Sequence, residues 1–100
     1  MVRIKWTEQA KLDLQDIFLF ISKGSLKYAK LTLISIRTRT NILKLHSKAG
    51  TKVPEYEVDN IRELIEGNYR IIYSLKTSTQ IEILTVIHGA RVVENFKPLE

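Results

Sequence analysis

Arg70, His88 and Arg91 are the residues of this chain best suited to chemistry. An arginine neutralises charge that develops on a phosphate, and a histidine titrates near neutrality, so it can take or give a proton. They are the candidates for metal-free cleavage of a phosphodiester, although the chain offers one plausible base, no clear acid and few supporting cations. A base activates the 2′-hydroxyl, an acid protonates the leaving oxygen and cations stabilise the phosphorane. If the Thr77–Thr79 turn is symmetric, Arg70 pairs across from Val86. Arg70, Ile72, Leu84, Val86 and His88 then share one sheet face, with Arg70 diagonal to His88. A slip of one residue would send the arginine to the other face. Each residue also has a structural reading. Arg70 can pair with Glu63 on the preceding strand, and His88 can hold a turn carbonyl at a strand end. Arg91 follows Gly89-Ala90 just past that strand, where it is exposed to a target or a partner.

Other chemistries find less support. Tyr69 and Tyr73 are the aromatics available to stack on a base, but their parity sets them opposite Arg70. His46 stands alone in a basic stretch and reads as a solvent-facing helix end. The two histidines lack metal-site spacing, and there is no cysteine, Gly-rich phosphate loop or Ser/His/Asp pattern. No cofactor or metal is expected.

These residues must be positioned by short, regular elements. Val2, Ile4 and Trp6 alternate with Arg3 and Lys5 as one strand. Thr7 then caps a helix whose buried face is Ala10, Leu14, Ile17, Phe18 and Ile21. Gly24 ends it and Ser25 caps the next at once, so the two helices form a tight hairpin. The second helix runs from about Leu26 to about Leu45. Its face Ala29, Leu33, Ile36, Thr40 and Leu43 is flanked by Lys30, Arg37, Lys44 and Lys48. Leu31, Ile34, Ile42 and Leu45 lie on the opposite side. That second apolar side is expected to meet either a partner chain or another segment of this chain. Residues 46–60 form a long connection without periodicity. Three strands follow, the first two joined by Gly67-Asn68, a two-residue hairpin signal. Val92–Phe96 is a short strand or turn, and Lys97–Glu100 a loose tail. The expected fold is α+β, in the order β-α-α-β-β-β, with the helical hairpin on one face of an antiparallel sheet and the other face more open.

The chain has 100 residues, 44% of them hydrophobic, which suits a single domain over residues 1–100. It carries no signal peptide or membrane-length apolar run, so a cytoplasmic protein is expected. Residues 1–50 hold ten basic and three acidic side chains, whereas residues 51–100 hold six basic and eight acidic. No acid falls between Asp16 and Glu55, while eight Lys or Arg do. This one-sided field favours an anionic partner, nucleic acid or an acidic protein segment, unless it is a solvated face.

The ordered combination of Trp6, Ala10, Leu14 and Ile17, then Val53-Pro54-Glu55, Ile61-Arg62-Glu63-Leu64, Tyr69-Arg70-Ile71-Ile72-Tyr73 and Ile83-Leu84 through His88-Gly89-Ala90-Arg91 resembles the RelE/ParE superfamily of type II toxin–antitoxin toxins. The His-Gly-Ala-Arg ending and the Ile-Arg-Glu-Leu strand are closer to ParE. The resemblance implies a β-α-α-β-β-β toxin neutralised by the acidic, amphipathic C-terminal segment of a cognate antitoxin, in a toxin–antitoxin hetero-oligomer. ParE-like members inhibit DNA gyrase and are not known as nucleases. RelE-like members cut mRNA on the ribosome, and Arg70, His88 and Arg91 are catalytic only on that branch. A non-toxic basic binding module of the same fold is the third alternative. On this resemblance, Lys30, Arg37, Lys44 and Lys48 with Leu31 and Ile34 are the antitoxin-binding residues.

Overall fold

A computed structural model describes residues 2–56 and 58–89. The elements are β1 (Arg3–Trp6), α1 (Glu8–Ser22), α2 (Leu26–Arg39), a 3-10 turn (Thr40–Lys44), β2 (Thr51–Lys52), β3 (Ile61–Glu66), β4 (Tyr69–Leu75) and β5 (Gln80–His88). They form an α+β fold around one five-stranded sheet in the order β1-β5-β4-β3-β2. Strand β1 runs parallel to β5, and the other pairs among the described residues are antiparallel. Arg91 and the strand or turn expected at Val92–Phe96 lie outside the described residues, as does the tail from Lys97.

Local chemistry sets the helix starts as expected. The Thr7 hydroxyl accepts from the Ala10 amide at 3.1 Å, and the Ser25 hydroxyl accepts from the Tyr28 amide at 3.0 Å. Each satisfies an amide that a helix start leaves unpaired. The hairpin closes when the Gly24 and Ser25 amides both donate to the Ile21 carbonyl at 3.0 Å. The second helix stops sooner than its sequence suggests. Thr40 turns its hydroxyl back onto the Arg37 carbonyl at 2.7 Å, and the chain tightens there to a 3-10 turn. Gly67 takes φ +57° to join β3 to β4, with Glu66 paired to Tyr69 across it.

The helices bury Ala10, Leu14, Ile36 and Leu43 against Leu64, Ile71, Tyr73, Ile81, Ile83 and Val86 of the sheet. The opposite face is less open than the sequence suggested. Val53 and Tyr56, from the long connection, lie on it against Ile61, Ile72, Leu84 and Ile87. Residues 53–56 therefore act as a strap across the side of the sheet away from the helices.

One irregularity decides the site geometry. The turn after β4 is symmetric as expected, since Leu75 pairs with Ile81 and Tyr73 with Ile83. Ile72, however, pairs with Thr85, so Leu84 is an extra residue in β5. Beyond this bulge every pairing moves by one. Arg70 pairs with Ile87 rather than Val86, and His88 pairs with Tyr69.

The bulge sits where β1 ends and α1 begins. There the Thr7 hydroxyl lies within hydrogen-bond reach of the Ile83 and Leu84 carbonyls, at 3.0 and 2.9 Å. Six residues further on, in α1, Asp13 accepts from the Val86 amide at 2.9 Å and from the Thr85 hydroxyl. Asp13 thus serves β5 where β1 no longer reaches it. Asp13→Ala is expected to lower unfolding free energy by about 1–3 kcal/mol, because a buried amide loses its acceptor. Urea denaturation, with exchange of the Val86 amide proton, tests this. An unchanged midpoint would mean that water replaces the carboxylate without loss.

Candidate functional site

Arg70 extends from β4 onto the strapped face and is held on two sides. Its Nε donates to Glu63 Oε1 at 2.6 Å. Its Nη1 and Nη2 donate to the two carboxylate oxygens of Glu55 at 2.9 and 2.8 Å. The latter is a bidentate fork, the strong geometry for an arginine–carboxylate pair. The Arg70 and Glu63 side chains are only 10% and 11% exposed, so these charges are largely shielded from water. Hydrogen bonding by Glu55, and then by Glu63, outweighs desolvation and raises the guanidinium pKa above its already high value. The expected pairing with Glu63 is therefore present. The second partner, Glu55, belongs to the strap.

The register shift separates Arg70 from His88, correcting the expectation that they share a face. Ile87, opposite Arg70, belongs to the strapped cluster, while Tyr69, opposite His88, packs on the helix-side core. His88 meets Tyr69 edge to face, with ring centroids 5.9 Å apart, and borders a groove of about 440 Å³ with Asp13, Asp16, Ile17 and Phe20. Arg70 and His88 thus cannot flank one phosphate. The third candidate, Arg91, lies outside the described residues. His46 is exposed, as expected.

The segment that leads into β2 is anchored separately, on the helix side of the sheet. The Tyr73 hydroxyl accepts from the Gly50 amide at 2.9 Å and donates to the Ser47 carbonyl at 3.0 Å, while Arg62 Nη1 donates to the Gly50 carbonyl at 2.9 Å. Burial raises the Tyr73 phenol pKa above its ordinary value of 10.0.

The outer side of α2 is a contrasting surface. Leu31 and Ile34 are 50% and 59% exposed, and with Leu26, Lys27 and Lys30 they line a shallow groove of about 570 Å³. Ile42 and Leu45 are exposed as well. Among the described residues no segment of this chain covers that side. The four cations expected to form one flank divide into distinct surroundings. Arg37 lies over the Trp6 ring, 5.7 Å from its centroid, and borders a polar groove with Lys44. Lys48 instead acts on Asp59, whose carboxyl pKa is lowered first by Lys52 and more weakly by Arg62 and Lys48.

Sequence reasoning missed Asp13, Glu55 as a partner of Arg70, and the cation–π contact of Arg37 with Trp6. The Val53-Pro54-Glu55 motif was visible, but nothing in it revealed which cation the glutamate meets.

The model of a protein family described as the ParE toxin of the type II toxin-antitoxin system, parDE, matches residues 4–93. The chain belongs to the ParE toxin family. Its fold is similar to that in the chromosomal ParDE TA system from P. aeruginosa, with TM-score 0.71 and 23% identity over 88% of this chain and 96% of that one. It is also similar to a chain of the toxin-antitoxin complex RelBE2 from Mycobacterium tuberculosis, with TM-score 0.51 and 20% identity over 87% and 96% of the two chains. No curated protein matches the chain. This ParE-family chain has no helix among its described residues long and apolar enough to cross a membrane.

Proposed function

We propose that this ParE-family chain is a toxin that inhibits DNA gyrase by binding rather than by catalysis, and that a cognate antitoxin neutralises it. The observation that carries this reading is the state of Arg70. A guanidinium gripped by two carboxylates, on the face away from His88, is ill placed to stabilise a phosphorane beside a general acid or base. The antitoxin's apolar residues are proposed to cover Leu31 and Ile34, and its acids to meet Lys30, Arg37, Lys44 and Lys48. The exposure of the two apolar side chains supports that assignment, as does a neighbour of this fold solved as a toxin-antitoxin complex.

Inducible expression of the chain alone in a bacterial host tests the function. Growth arrest with a DNA-damage response and continuing protein synthesis is expected, and His88→Ala is expected to remain toxic. Prompt loss of translation, abolished by His88→Ala, would favour the RelE-like ribosome-dependent nuclease instead. Harmless expression of soluble, folded protein would favour a non-toxic module. Co-expression of the antitoxin should relieve the arrest, and Leu31→Asp with Ile34→Asp should escape that relief.

A further inference from the structure

The polar groove where β1 meets the end of α2 differs from the apolar surface higher on the same helix. Its volume is about 400 Å³, and its lining includes Trp6, Arg37, Thr38, Asn41 and Lys44 with no acidic residue. Arg37 lies over the indole of Trp6, whose body packs against the helix-side core. A guanidinium over an aromatic face keeps N–H donors for other acceptors, and its fork matches two phosphate oxygens. Thr38, Asn41 and Lys44 add the hydroxyl, amide and ammonium donors that commonly hold a nucleic-acid backbone. The terminal carbonyls of α2 at Arg37 and Thr38 already accept from the Thr40 amide, which lessens the repulsion a bare helix end would offer an anion. Lys30 lies seven residues before Arg37 on α2, about 10 Å along the axis, and extends the positive surface.

From this arrangement we infer that Arg37, Asn41 and Lys44 form a docking surface for the phosphate backbone of duplex DNA. The inference stands whether or not gyrase is the target. Single-stranded nucleic acid would call for open aromatic faces, but here the indole is engaged by Arg37 and by the core. An amphipathic acidic peptide would seat its apolar residues higher on α2, at Leu26, Leu31 and Ile34, and reach this groove only with its acids. DNA and the acids of an antitoxin would contend for Arg37 and Lys44, so the toxin's DNA contact would be lost in the neutralised complex.

The test titrates the purified chain with a mixed-sequence 20-base-pair duplex. It follows fluorescence anisotropy of labelled DNA and the emission of Trp6, the single tryptophan. Binding is expected to weaken steeply with salt and to change Trp6 emission. Lys44→Glu should weaken it at least tenfold. Lys11→Glu, the same charge change on α1, should weaken it less than threefold. Arg37→Gln should reduce the slope of log affinity against log salt by about one. Asn41→Asp provides a variant that leaves the Arg37–Trp6 contact in place, and it too should weaken binding. Equal losses for Lys44→Glu and Lys11→Glu would overturn the inference by reducing it to net charge. Unmoved Trp6 emission at saturating duplex would also overturn it. So would tighter binding of single-stranded DNA or polyglutamate, the latter pointing to an acidic protein partner alone.

Discussion

Arg70→Ala is expected to destabilise the fold by about 3–5 kcal/mol, a large part of the stability of a chain this size. The loss would come less from the missing attraction than from what remains. Glu63, whose side chain is only 11% exposed, would lose the guanidinium it accepts from, and Glu55 would lose its bidentate fork. Arg70→Lys should recover only part of the loss, because an ammonium cannot reproduce one bond from Nε together with a bidentate fork. Replacing the whole group, with Arg70→Met, Glu55→Gln and Glu63→Gln together, should be milder than Arg70→Ala alone, since it leaves no uncompensated charge. Guanidinium denaturation of the four proteins tests the ordering. If Arg70→Ala proves the mildest variant, the clamp is not a stabilising unit. The triple variant also separates structure from chemistry. A folded triple variant that still arrests growth assigns Arg70 a structural role. One that folds and is inert assigns its guanidinium to a target.

Gly50→Ala is expected to be about as damaging, at roughly 3 kcal/mol, through overpacking and lost hydrogen bonds. A Cβ there would collide with the Glu63 backbone carbonyl and come within 2.8 Å of both the ring and the hydroxyl of Tyr73. Neither neighbour can yield easily, because one is strand backbone and the other a fully buried ring. The requirement is for close approach rather than for unusual dihedrals, since Gly67 is the glycine with positive φ among the described residues. Tyr73→Phe should cost about 1–3 kcal/mol by itself, leaving the Gly50 amide unpaired. Combined with Gly50→Ala it should cost less than the sum, because part of the collision is with the deleted hydroxyl. A double-mutant cycle reads that coupling, and strict additivity would refute the shared contact. The Tyr73 phenol supplies a pH signature as well. Its folded pKa lies above the unfolded value of 10.0, so its contribution is full below about pH 10 and declines as pH rises through the folded value. Tyr73→Phe should remove its share of the alkaline loss of stability.

The helices were legible because their buried residues recur at helical spacing. Ala10 and Leu14 of α1, and Ala29 and Ile36 of α2, are buried as that spacing requires. The β3–β4 hairpin was legible from Gly67-Asn68. The register of β5 was not, for a physical reason. From Ile83 to Ile87 the strand offers Ile, Leu, Thr, Val and Ile, with no polar alternation to mark a face. Both faces there are covered, one by helices and one by the strap, so either parity could be buried. The one-residue bulge at Leu84 leaves no trace in such a run, yet it separates Arg70 from His88. The strap escaped notice similarly. Val53 and Tyr56 pack as single side chains from an irregular segment, and periodicity cannot reveal contacts of that kind.

The pairing of β1 with β5 bears on synthesis. β1 bonds to β5 from Arg3–Gln80 to Trp6–Ile83, and the start of α1 is fastened to the same strand by Thr7 and Asp13. On the ribosome, β1 must therefore wait until β5 has been made before its hydrogen bonds can close. The helical hairpin can form early from local contacts, but its apolar face has no sheet to cover until the β4–β5 hairpin has emerged. A nascent chain halted before β5 leaves the β1 edge unpaired, so premature termination would release a fragment for proteolysis rather than a smaller working protein.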